Sequence, residues 1–196
     1  MPLGAFKAAL MGTAGVSTTG DVVLLSTQTA SNSASLTFSS GITSTYGEYI
    51  FKFYNINPAT DSTDFQFQCN ATDSTSYDET ITSAAFAAQH AEADDDAALS
   101  YQGGMDQAQG TAYQFLNYDL ANDSDGSLAG ELHLFNPSST TYVKHFIART
   151  HHMFEANYAS QFFVNGYINT TTAIDDIQFK MNSGNFDGKI KMWGVK

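Results

Sequence analysis

Seven consecutive residues, Asp64-Phe65-Gln66-Phe67-Gln68-Cys69-Asn70, alternate without a break. Phe65, Phe67 and Cys69 fall on one side of an extended chain, and Gln66, Gln68 and Asn70 on the other. A strand turns its side chains over with period two, whereas a helix has period 3.6. Only a strand gathers these three apolar groups on one face, so the run predicts a β-strand with Cys69 on the core side. There Cys69 reads as a small buried hydrophobe rather than a nucleophile. The same alternation returns near the end of the chain. Ile177, Phe179 and Met181 are interleaved with Gln178 and Lys180, and Ile190 and Met192 with Lys189 and Lys191.

Further strand-like runs lie at 21–25, 33–38, 46–56, 112–120, 131–136, 141–150, 160–168, 173–181 and 189–195. Turn-forming residues separate them: Asn122 to Gly126, Asn136-Pro137-Ser138 and Ser183-Gly184-Asn185. In 46–56, Tyr49, Phe51 and Phe53 share one face while Ile50, Tyr54 and Ile56 share the other, the pattern of a strand covered on both sides. Residues 71–112 break the rhythm. Within them Thr80–His90 leans to strand, and the acidic Glu92–Asp96 run reads as a turn. The whole predicts an all-β jelly-roll or β-sandwich of about 8–10 antiparallel strands.

The first 20 residues differ in kind. They hold Gly, Ala, Ser and Thr with four apolar anchors, Leu3, Phe6, Leu10 and Met11, and bury no face of their own. The expected division is therefore an N-terminal docking arm over 1–20 and a β-domain over 21–196, with the four anchors as attachment residues. Gly184 and Gly188 suit a tight connection between the last two strands, and Phe186 is expected to fold inward there.

A net charge of −12 sets the chain against phosphate backbones, so nucleic-acid binding is not expected. One cysteine permits no intrachain disulfide. No apolar run approaches the roughly 20 residues of a membrane span, and membrane insertion is not expected. The opening MPLGAFKAALMG is too weakly apolar for a secretory signal, so synthesis in a host cytoplasm is the expectation. Charged residues make up 14% of the chain, below the roughly 25% of an average soluble protein. Either Ser, Thr, Asn and Gln supply the missing polarity, or neighbouring molecules cover part of the surface.

From about Thr45 to Lys196 the chain resembles a module of structural proteins of tailed bacteriophages of marine bacteria, cyanophages among them. The stretches that carry the likeness are YGEYIFKFYNINPATDSTDFQFQ, HAEADDDAALSYQ, GELHLFNPSSTTYVKHFIA and NGYINTTTAIDDIQFKMNSGNFDGKIKMWGVK. The ending is the most specific of them, closing on an aromatic-Gly-aliphatic triplet. The resemblance implies a virion-associated jelly-roll protein; it implies no catalytic activity and carries no catalytic residues to transfer, and the chain is expected not to be an enzyme. Its implied partners are other virion proteins and further copies of itself, for which a trimer is the working expectation. Capsid decoration and a tail-attached position both fit, and the alternative role is a host-recognition module, a tail fibre or adhesin, binding cell-surface glycan.

Candidate chemistry is sparse. Trp193, the single Trp, reads as a packing residue near a sheet edge; the alternative is a glycan contact. His133, His145, His151 and His152 cluster in sequence without metal-ligand spacing, and exposed or edge positions are expected for them. Asp123, Asp125 and Gly126 fall in step with part of a calcium loop, but Ala121 occupies the first ligand position, leaving at most weak Ca2+ binding at Asp123 and Asp125. Neither a resident cofactor nor a catalytic residue is expected. Asp94, Asp95 and Asp96 are consecutive, which is wrong for the facing carboxylates of glycoside hydrolysis. The exposed, contact-making loop is expected in 86–106.

Overall fold

The structure, a computed structural model, describes residues 21–154 and 157–196. Its regular elements are all strands: β1 Val22–Ser33, β2 Ser35–Phe38, β3 Glu48–Pro58, β4 Phe65–Ala71, β5 Ile81–Ala91, β6 Ala97–Tyr101, β7 Ala108–Gly110, β8 Gln114–Phe115, β9 Leu128–Phe135, β10 Lys144–Phe154, β11 Tyr158–Ile168, β12 Ile174–Met181 and β13 Phe186–Val195. They form two antiparallel sheets, ordered β1-β13-β3-β9-β10-β11-β5-β6 (with β7 also on β5) and β2-β12-β4-β8.

The topology reduces to a jelly roll. β1 pairs with β13, β2 with β12, β3 with β9, and β4 with β8. These pairs are nested, first with last and inward, as in one long hairpin rolled into two sheets. Adjacency of β13 to β3 and of β12 to β4 closes each four-stranded half. The other five strands are additions. The β10–β11 hairpin and the β5–β7 excursion extend the first sheet beyond β9. Eight strands thus build the roll, and residues 71–112 are part of its extension.

Phenylalanines fill the space between the sheets. Phe179 of β12 lies 5.4 Å from both Phe51 and Phe53 of β3 and 5.9 Å from Phe65 of β4, ring centre to ring centre. Phe38 and Phe67 complete the cluster, and every member is essentially inaccessible to water. Each such ring contributes roughly 2–3 kcal/mol through burial alone. Phe186 folds inward as expected, its ring edge-on to Phe65 at 5.7 Å. Cys69 is buried on the core side.

Four features correct or go beyond the expectations from sequence. The first concerns β3, which is covered on one face only: Tyr49, Phe51 and Phe53 point inward, Ile50 is half-buried and Tyr54 exposed. Asn55 adopts a left-handed conformation (φ 50°), and the register shifts between Phe53 and Ile56. This bulge inserts one residue and brings Ile56 to the core side. On β4, secondly, the alternation holds, but the polar face is also buried. Gln68 Nε2 donates to the carbonyls of Glu79, Thr111 and Ala112 at 3.0, 3.2 and 3.0 Å, because the chain on either side of β5–β7 lies over that face. Thirdly, the expected strand at 112–120 shortens to Gln114–Phe115, with Leu120 held by isolated bridges to Thr63 and Phe154.

Gly188 is the fourth. It sits inside β13 at φ 137°, not in the connection, opposite the β3 bulge. A Cβ there would stand 2.8 Å from the Asn55 carbonyl oxygen, so only glycine lets β13 pass close against the β3 bulge. The glycine of the closing triplet has a packing reason: a Cβ on Gly194 would fall 2.6 Å from Cγ of Tyr46, whose ring lies across the strand.

Candidate functional site

The extension strands have one face on the core and one outside. On β10, Lys144, Phe146, Ala148, Thr150 and His152 are buried, while His145, Ile147, Arg149 and His151 are exposed. On β11, Phe162 and Val164 point inward, so the neighbouring Phe163, Asn165 and Tyr167 must point outward. Phe86 faces out from β5, directly across from Phe163. Their rings stack at 4.8 Å and 13°.

These outward groups enclose an open groove of about 580 Å³ along the β10–β11 pair. Phe86 and Phe163 wall one end, and Phe135, His145 and Tyr167 the other, with Ile147 and Asn165 between them. Ile147 is 52% exposed and Phe86 38%, so the groove keeps apolar surface in water. The rest of the outer face has the same character. Among the described residues, the large hydrophobic side chains that stand well exposed are Val22, Leu24, Tyr54, Phe86, Leu99, Tyr101, Tyr142 and Ile147. Strand register places seven of them on the outer face of the large sheet, and Tyr142 precedes β10 at its rim.

Charge is also unevenly placed. The whole chain has 8 Lys and Arg against 20 Asp and Glu. On the outward positions of β13, β3, β9 and β10 stand Lys52, Arg149, Lys189 and Lys191, against Glu48, Glu131 and, at the far end of β13, Asp187. Glu131 lies between two cations, 3.5 Å from Lys52 and 3.5 Å from Arg149. Glu48 pairs instead with Nδ1 of His133. One cross-strand row runs Lys52, Glu131, Arg149, Phe163, Phe86, Tyr101, so a charged half passes directly into an aromatic half.

The candidates from sequence are scattered by the fold. Trp193 is on the same outer face, between Leu24 of β1 and Ile50 of β3, three strands from β10. Its indole nitrogen is buried against the protein without a hydrogen-bond partner. Asp123 and Asp125 stand exposed in a turn whose carbonyls, at Asp123 and Gly126, accept hydrogen bonds from Asn57 Nδ2. Among the described residues no three His, Cys, Asp or Glu side chains converge as metal ligands do. Asp94, Asp95 and Asp96 are exposed on the turn between β5 and β6. The 86–106 stretch is strand, turn and strand rather than a loop, and it does present Phe86, Leu99 and Tyr101. Leu3, Phe6, Leu10 and Met11 lie outside the described residues.

His152 departs from the expected exposure. It is fully buried on the inner face of β10, where Nε2 meets the Tyr118 carbonyl at 2.7 Å and Nδ1 has no partner. Burial lowers its pKa to about 4, and the nearby His151 adds to the effect while the bond to Tyr118 opposes it. Lys144, buried beside the same sheet, donates from Nζ to the carbonyls of Tyr142 and Thr170 at 3.1 and 3.0 Å. Desolvation lowers its pKa, and Glu79 partly restores it. Both groups serve the frame beneath the groove and do not face into it.

Of the groove residues, sequence pointed to His145, as one of a group of histidines, and to Phe86, within the 86–106 contact stretch, but not to Phe135, Ile147, Phe163, Asn165 or Tyr167. A signal existed in the doublet Phe162-Phe163: adjacent residues of a strand face opposite ways, so one of the two rings had to leave the core. No protein-family model matches the chain, and no curated protein is detectably similar to it.

Proposed function

We propose that this chain is a non-enzymatic structural component of a bacteriophage virion, a capsid decoration or tail-attached module held to the particle by its N-terminal arm. The observation that carries this reading is the outer face of the large sheet. It gathers most of the well-exposed large hydrophobics, and two pairs of them sit on the strands that end this sheet among the described residues, Val22 and Leu24 on β1 and Leu99 and Tyr101 on β6. Apolar residues on unpaired sheet edges invite contact with further chains. A module packed edge to edge with copies or neighbours, a trimer being the simplest closed case, covers them. The nested jelly-roll core and the resemblance over 45–196 to phage structural modules support the same reading.

The test is association with particles. Full-length protein is expected in purified virions and to rebind particles depleted of it. A chain lacking residues 1–20 is expected to keep its circular dichroism and melting transition but to stay in the supernatant. Normal association of the truncated chain would overturn the arm.

A second reading, host recognition through cell-surface glycan, is favoured by the groove itself. It lies in the middle of the sheet, between the two edges, and stays open when only the edges are covered. Exposed aromatic rings beside Asn165, His145 and Tyr167 offer the mixed apolar and polar surface that sugars use.

A further inference from the structure

We propose that the groove over β10 and β11 binds a saccharide bearing an acidic group, a uronate or a sulfated sugar, with Arg149 taking the anion. The inference rests on the recognition reading and gives it a ligand class. Strands lie about 4.8 Å apart, so the outward side chains of one cross-strand row are spaced at about the width of a sugar ring. Arg149 is directly opposite Phe163, and Phe163 directly opposite Phe86. A pyranose resting on the apolar wall of Phe163 and Ile147 therefore holds an equatorial carboxylate or sulfate within reach of the Arg149 guanidinium. Asn165, His145 and Tyr167 line the same groove and meet the hydroxyls.

Charge complementarity selects the anion. The chain as a whole repels anions, at −12. On the β9 side of the groove that excess of acid is gone: Lys52 and Arg149 share the carboxylate of Glu131, Glu48 is taken up by His133, and Lys189 and Lys191 stand with Asp187 further off on β13. The Arg149 side chain is 58% exposed, and its contact to Glu131, at 3.5 Å through one nitrogen, leaves donors free for a second carboxylate. A neutral sugar would use the aromatic wall and leave this charge idle. An acidic peptide would use the charge and leave the wall idle.

Calorimetric titration of the full-length protein distinguishes the cases, with four probes at low and moderate salt. These are tetragalacturonate, its methyl ester, a sulfated carrageenan tetrasaccharide, and a short polyglutamate. At least one of the two anionic saccharides is expected to bind. The methyl ester should bind about fivefold more weakly than the free uronate, as fits one partly exposed ionic contact. Arg149→Gln should remove that difference, and Phe86→Ala should weaken both saccharides; Arg149 is too exposed for its substitution to threaten folding. Equal binding of ester and acid, unaffected by Arg149→Gln, overturns the acidic ligand and leaves glycan recognition standing. Polyglutamate binding as tightly as the sugars overturns the saccharide. No binding by any probe overturns both this inference and the recognition reading.

Discussion

His152 makes the fold sensitive to mild acid, by an amount that can be worked out. Its ring is neutral in the folded protein because protonation at Nδ1 would place an N–H in a buried spot that offers no acceptor. The unfolded chain binds a proton near the ordinary value of 6.5, the folded chain only near 4. A histidine whose pKa is lowered by folding contributes stability that is present above 6.5 and lost as pH falls toward 4, since the unfolded state then holds more protons. At pH 5 the linkage amounts to about 2 kcal/mol, or a drop in melting temperature on the order of 5 °C for a domain of this size. Other groups work in the opposite sense. Asp64 and Glu79 have carboxyls raised by burial, against opposing hydrogen bonds from the backbone of Asp119 and Ala71, so the folded chain takes up their protons first. The quantity to measure is therefore a difference of differences. Urea unfolding at pH 7 and pH 5 is compared between the parent and His152→Gln, whose amide can still donate to the Tyr118 carbonyl. The parent should lose about 2 kcal/mol more than the variant over that interval. An equal loss in both, or an NMR titration of His152 centred near 6.5, would refute the reasoning.

Two other perturbations probe the frame. Phe179→Ala removes the ring that touches Phe38, Phe51, Phe53, Phe65 and Phe67 at once, and chemical denaturation should show a loss of about 3–5 kcal/mol. A loss below about 1 kcal/mol would mean that the sheets do not meet around that ring. Gly188→Ala places a Cβ against the Asn55 carbonyl and Ile56 at a φ of 137°, so a cost of about 2 kcal/mol or more is expected in the same assay. A neutral result would show that the bulge of β3 does not press against β13 at this point.

The period-two pattern carried much of the fold. DFQFQCN became β4 with Phe65, Phe67 and Cys69 inward, and the Ile177-Phe179-Met181 and Ile190-Met192 runs became β12 and β13 facing the core as written. Phe186 at the sandwich end and the strand within Thr80–His90 were equally legible. In each case the burial of a side chain follows from its parity along one strand, a property of local sequence. The parity of β3 beyond Phe53 failed because a left-handed Asn55 resets it, and Asn is a residue that tolerates either conformation.

By itself, the amino-acid sequence settled most of the strand segments, with β6 and β7 missed and β8 drawn too long, and for most of those it found which face is apolar, because a strand's alternation is written in neighbouring residues. Tertiary structure alone decided which strands lie side by side. It nested β1 with β13 and β2 with β12, laid the 71–81 and 111–113 segments over the polar face of β4, and buried His152 among partners distant in sequence. It also brought Phe86, Arg149 and Phe163 from three separate strands into one row. The physical reason is that strand pairing is made by backbone hydrogen bonds, which every residue but proline offers alike. Partner choice is therefore set by how all the apolar faces close over one interior, and a groove on the opposite face is a consequence of that choice.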